Sequence, residues 1–91
     1  LKNDLKLFNS LPNLFKNQVK LLSGNTRRNS QIILVMKDGN VVIGNTATLN
    51  SKLKYYDTIR IKAGKHSLID LEIGAFSRPL TSSEKKAYGI S

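Results

Sequence analysis

The sequence predicts a mainly β fold: antiparallel sheets of a partial, jelly-roll-like β-sandwich, with an N-terminal helical segment in front and a short helix at the C-terminus. Three observations predict it. Two apolar runs, Ile32 to Met36 and Val41 to Ile43, flank Lys37-Asp38-Gly39-Asn40, whose Asp-Gly pair supplies the positive φ of a tight hairpin turn. Thr58 to Lys62 alternates strictly, as a half-buried strand does, with Ile59 and Ile61 inward and Arg60 and Lys62 in water. Leu68 to Phe76 alternates again, placing Ile69, Leu71, Ile73 and Ala75 toward a core. The unbroken apolar character of the central hairpin calls for cover on both faces.

Taken in order, the chain opens with Leu1, Leu5, Phe8, Leu11, Phe15, Val19 and Leu22 at steps of three and four, the period of one helix face. Pro12 interrupts that face, so residues 1–24 read as a helical segment, either a pair of helices broken near Pro12 or a helix followed by extended chain. Ser23 to Ser30 is polar throughout, with Gly24 and Asn25 as turn formers, and reads as an exposed loop carrying Arg27 and Arg28. Residues 31–91 form the antiparallel β domain, open to completion by further chain. Within it, Thr46 to Lys54 reads as a loop or short edge strand around Leu49, and Gly64 turns the chain ahead of the Leu68 strand. After Pro79, Thr81-Ser82-Ser83-Glu84 has the spacing of a capping box, which starts a helix running to about Tyr88 and stopped by Gly89.

At 91 residues the chain is one domain or part of one, with a thin core that leaves it marginal alone or completed by a partner or by further chain. Leu1 in place of Met implies that something upstream was removed or not included. No cysteine is present, which excludes disulfides, thiolate metal sites and cysteine nucleophiles but leaves the compartment open. No apolar run approaches the roughly 18 residues of a membrane span, so no membrane insertion is expected. The net charge of +9 lies entirely within residues 1–66, while residues 67–91 balance three basic against three acidic side chains. Scattered lysines of this kind describe a solvated surface more readily than a dedicated anion-binding face.

The chemistry of catalysis is missing. His66 sits in a turn without a second histidine, thiol or adjacent acid, and so lacks the convergent partners that catalysis or metal binding needs. Asp70 and Glu72 would lie roughly 7 Å apart on one strand face, close to a glycosidase separation, but nothing in the sequence would drive their pKa values apart. Gly39, Gly44 and Gly64 lack the spacing of a phosphate-cradling loop. The expectation is a non-enzyme without cofactor or metal. A ligand, if any, would meet the loop from Asn45 to Tyr56, with Asn50, Lys54, Tyr55 and Tyr56 supplying hydrogen bonds and a flat ring face.

Two resemblances bear on function. The closing stretch, with Glu72, Ile73, Phe76, Ser77, Arg78, Pro79, Leu80, Thr81 and Glu84 in register, resembles the C-terminal strand and exit of laminin-G-like, concanavalin-A-like lectin domains. The Asp-Gly hairpin and the stretch Asp57 to Gly64 resemble strands that precede it in that family, so the resemblance covers residues 31–89. It implies the later strands of a longer sandwich and a recognition or adhesion module for a glycan or protein receptor, at an extracellular or virion surface such as a phage tail or fibre. The alternative is a small Sm-like or SH3-like RNA-binding barrel, which the N-terminal helix, the hairpin and the charge resemble; Arg27, Arg28 and Arg60 would then meet RNA. That barrel's second motif is absent, since Asp70 stands where an Arg-Gly pair would be needed. A third possibility is a structural piece of a larger assembly.

Overall fold

The computed structural model describes residues 8–25 and 28–90. Residues 8–10 are helical, followed by α1 (Asn13–Lys16), β1 (Val19–Asn25), β2 (Arg28–Met36), β3 (Val41–Asn45), α2 (Leu49–Lys62), β4 (Ser67–Asp70), β5 (Phe76–Pro79) and α3 (Ser82–Ala87). The five strands form one sheet in the order β1-β2-β3-β4-β5. Pairing is antiparallel except between β3 and β4, which run parallel with Val41 opposite Leu68 and Val42 opposite Ile69.

The mainly β class, the N-terminal helical residues and the short C-terminal helix all stand as expected. The second layer, however, is helix and not a second sheet. A parallel pair cannot be joined by a tight turn, so the chain must cross the sheet between β3 and β4, and α2 is that crossover. Thr58 to Lys62, expected as a strand, is the last turn of α2. Its alternation coincides with a longer helical period, since Leu49, Leu53, Tyr56 and Ile59 form the inward face while Ile61, expected inside, points into solvent. Leu49, expected in a loop or edge strand, opens the helix and is fully buried.

Of the helical segment expected over residues 1–24, residues 1–7 lie outside the described residues, and the described part ends at Lys16, because residues 19–25 pair with β2 as an edge strand. Lys20 sits at an irregularity in that ladder, where Val19 opposes Met36 and Leu21 opposes Val35. The strand expected from Leu68 to Phe76 is split. Oδ1 of Asp70 accepts hydrogen bonds from the amides of Glu72 (2.9 Å) and Ile73 (3.1 Å), turning the chain out of β4 before β5 begins. Ile73 and Ala75, expected in the core, are therefore exposed.

Both faces of the central hairpin are covered, as its apolar run requires. Ile32, Leu34, Met36, Val42 and Ile69 face a core with Leu11, Phe15, Leu49 and Tyr56, where the Phe15 and Tyr56 rings meet edge to face at 5.1 Å and 84°. On the opposite face Ile33, Val35, Val41 and Leu68 pack with Leu80, and with Tyr88 and Ile90 beyond α3.

Two glycines are fixed by their neighbours. Gly39 has φ of 92° in the hairpin turn, and a Cβ there would stand 2.5 Å from Cδ2 of His66. Gly44 admits the side chain of Leu49, whose Cδ1 would lie 2.7 Å from an added Cβ. The turn before β4 is anchored on the same hairpin by Asn40, whose buried Oδ1 accepts from the Ser67 amide at 2.9 Å.

α3 begins with the expected capping box. Oγ1 of Thr81 accepts from the Glu84 amide at 3.1 Å, and Oε1 of Glu84 accepts from the Thr81 amide at 3.0 Å. Arg78 adds a two-pronged clamp, with both terminal nitrogens 2.7 Å from the Glu84 carboxylate oxygens. The Arg78 hydrogen bond, reinforced by the Thr81 amide, holds the Glu84 carboxyl down at about 2.

Two outcomes follow. Gly39→Ala should lower the free energy of unfolding by about 1–3 kcal/mol, read as a reduced urea midpoint at constant slope, because it meets both a positive φ and the His66 ring. Glu84 is ionised more easily folded than unfolded, so its contribution is present above the ordinary carboxylate range and is lost as pH falls toward about 2. The melting-temperature gap between the native chain and Glu84→Gln should therefore be open at neutral pH and close across that window.

Candidate functional site

Residues from α2 and β5 come together at one end of the sheet. The turn of α2 that buries Leu53, Tyr56 and Ile59 leaves Tyr55, Thr58 and Lys62 along the side toward β5. Across from them stand Ala75, Phe76 and Ser77, enclosing an open groove of about 390 Å³. Its two aromatic residues are both exposed, Tyr55 at 45% and Phe76 at 49%. The Lys54 ammonium lies 5.2 Å from the Tyr55 ring centroid, a cation–π distance. Its lining among the described residues is aromatic, aliphatic and hydroxyl-bearing, with Lys62 as its charged member.

The segment entering β5 is tied down from three sides. Asp70 holds its first amides, as described above. Nε2 of Gln31, on β2, donates to Oε1 of Glu72 at 3.2 Å. From α2, the Lys52 ammonium lies 3.4 Å from each of the carbonyl oxygens of Glu72 and Gly74. Asp70 and Glu72 thus serve a turn and do not form a facing pair.

β5 is the last strand of the sheet. Ser67 opposes Pro79, Leu68 opposes Arg78 and Ile69 opposes Ser77, while the Leu80 amide donates to the His66 carbonyl at 3.0 Å. Alternation along the ladder then turns the Arg78 amide toward β4 and the Ser77 amide and carbonyl outward.

The residues singled out from sequence separate. Tyr55 lines the groove, Lys54 meets it only through the contact with the Tyr55 ring, and Asn50 is exposed one turn earlier on α2. Tyr56 is 2% exposed with its ring against Phe15, so it presents no face to a ligand. Its hydroxyl has no hydrogen-bond partner among the described residues, and burial, reinforced by the charge of Asp38, pushes its pKa up to about 12. Arg60 points the other way, within 4.0 Å of Asp57 and beside a cleft lined by Asp38, Asn40 and Lys65. Arg28 is the first residue of β2, and its side chain lies outside what the structure describes. Arg27 lies outside the described residues. Phe76, Ser77, Thr58 and Lys62 were not marked by the sequence. The Asp-x-x-x-Gly run before Phe76 was the available sign of a break there.

Over all of its 91 residues the chain is 66% identical to cell division protein DivIB of Lactobacillus delbrueckii subsp. bulgaricus, of which it spans 32%. Its relatives are cell-division proteins. DivIB of Pediococcus pentosaceus is 35% identical over 81 residues, covering 87% of this chain and 22% of that protein. DivIB of Enterococcus faecalis is 34% identical over 74 residues, covering 79% and 20%. The chain thus spans about a third or less of the length of the DivIB proteins it matches. No protein-family model matches it, and no solved structure matches it significantly.

These relatives overturn the lectin resemblance and the adhesion, carbohydrate-binding and virion roles it implied, together with the glycan receptor. They equally remove the RNA-binding barrel and its RNA partner, and the structural-piece alternative as it was framed. The physical reason is that the lectin-like stretch records local events, a capping box and its Arg78 clamp, which any sheet-to-helix exit can use. Among the described residues no helix is long and apolar enough to cross a membrane.

Tyr56→Phe removes an unpartnered buried hydroxyl and keeps the ring, so it should leave stability unchanged or raise it by less than about 1 kcal/mol. Tyr56→Ala should cost about 3–5 kcal/mol. Denaturant unfolding of both variants separates the packing role from any role of the hydroxyl.

Proposed function

We propose that this chain is a non-catalytic protein-interaction domain of a DivIB-type cell-division protein, and that it receives an extended segment of another division protein along β5. The single observation carrying this reading is the state of β5: an open sheet edge, four residues long, lying directly beside the Tyr55–Phe76 groove. A strand added there would bond to the Ser77 amide and carbonyl, and its alternate side chains would fall into the groove.

The other edge does not compete on equal terms. β1 carries two register irregularities, one at Lys20 and one between Gly24 and Asn25, and bulges with edge lysines are the usual means of blunting an edge. Lys62 lines the groove and Lys54 lies over the Tyr55 ring, which favours acidic side chains on the incoming segment. The relatives' role in division supplies the class of partner.

The test is site-specific photo-crosslinking in cells that depend on the full-length protein for division. A crosslinking residue at Phe76 should capture a division protein, and one at Leu21 on the opposite edge should not. Capture at Leu21 alone, or at neither, would overturn the reading. Ser77→Pro, which removes the outward amide without touching a ladder bond, should abolish recruitment, whereas Ser77→Ala should retain it. Phe76→Ala should weaken binding at least about tenfold, as loss of a central aromatic anchor does.

A further inference from the structure

Resting on that reading, we infer that Lys52 is a positioning residue: its ammonium, bridging the Glu72 and Gly74 carbonyls, sets the 71–75 segment so that Phe76 and the β5 edge are in place before any partner arrives. Lys52 belongs to α2 and not to the groove, yet it is directed at the segment that delivers β5. Among the described residues, few other hydrogen bonds hold the far half of this segment. Asp70 fixes the amides of Glu72 and Ile73, and Gln31 fixes the Glu72 carboxylate, but both act before Gly74. Leu71 is anchored by its amide to the Ile43 carbonyl at 2.7 Å, after which Ile73 and Ala75 are exposed.

Between Ile73 and Phe76, then, Lys52 is the one hydrogen-bonding tie to the helical layer found among the described residues. Its stem is partly buried, so the charge is carried to carbonyl oxygens across a surface with reduced access to water, where such a contact is stronger than in bulk solvent. Two carbonyl oxygens that share one ammonium are also coupled to each other, since turning either one to solvent gives up part of the same contact. A strand that is already fixed loses less conformational freedom when a partner pairs with it, so Lys52 acts on affinity without touching the partner.

The experiment uses the full-length protein with Lys52→Met, Lys52→Arg and, as a charge-matched control on α3, Lys86→Met. Amide hydrogen exchange is measured across residues 72–78, and crosslinking yield is measured from the Phe76 probe in cells. Lys52→Met should speed exchange at Gly74 to Phe76 by about tenfold or more and reduce crosslinking several-fold, with the melting transition nearly unmoved; Lys52→Arg should restore both, and Lys86→Met should change neither. Unchanged exchange in Lys52→Met overturns the inference even where the native protein crosslinks normally. Faster exchange with undiminished crosslinking overturns the positioning role and leaves the β5 reading standing. An absence of crosslinking in the native protein removes the β5 reading and this inference with it.

Discussion

The parallel pairing of β3 with β4 is the constraint on which the remaining structure depends. Two parallel neighbours oblige the chain to leave the sheet, travel back along its length and re-enter, and the fourteen residues of α2 do this. The crossover also supplies the layer that the apolar face of the central hairpin requires. Leu49 slots against Gly44, and Tyr56 packs on Phe15, joining α2 to the sheet at its start and to the N-terminal residues at its middle. Once α2 lies there, the remaining geometry follows. Tyr55 must fall beside β5, and Lys52 must fall over the segment leading into it.

That same constraint explains what was legible in the sequence. The central hairpin was, because its signals are local: an Asp-Gly turn between β-branched runs dictates both the pairing and the register. The capping box at Thr81 was legible for the same reason, as was the need for cover on both faces of β2. What was not legible is the nature of the cover. Thr58 to Lys62 satisfies a two-residue alternation and a helical period at once, and five residues cannot separate them. Only the longer spacing of Leu49, Leu53, Tyr56 and Ile59 does so. The exposure of Ile61 is where the two readings disagree most directly.

The lectin-like stretch fails for a related reason. Arg78, Leu80, Thr81 and Glu84 do cooperate, since Leu80 closes the second core and Arg78 clamps the carboxylate that caps α3. Their cooperation spans seven residues and solves one problem, how a chain leaves a sheet edge and starts a helix on its face. Unrelated folds meet that problem repeatedly, so the residues that solve it carry little information about architecture. The candidate site illustrates the converse. Tyr55 and Phe76 are twenty-one positions apart and line one groove only because the crossover places α2 alongside β5.

The short length of β5 decides how such an edge can bind. A backbone hydrogen bond contributes about 0.5–1.5 kcal/mol net, and four residues with a proline at the end expose only a few groups outward. The Pro79 carbonyl is moreover already engaged by Arg78 at 3.2 Å. A partner held by the ladder alone would therefore be weakly held. Burial of the half-exposed Phe76 and Tyr55 rings has to provide the larger share, with the ladder fixing direction and register. This division of labour also limits the liability of an open edge. A strand that met β5 without the side chains to fill the groove would gain a few backbone bonds and little else, so under the proposed reading the edge would disfavour indiscriminate pairing while admitting a matching segment.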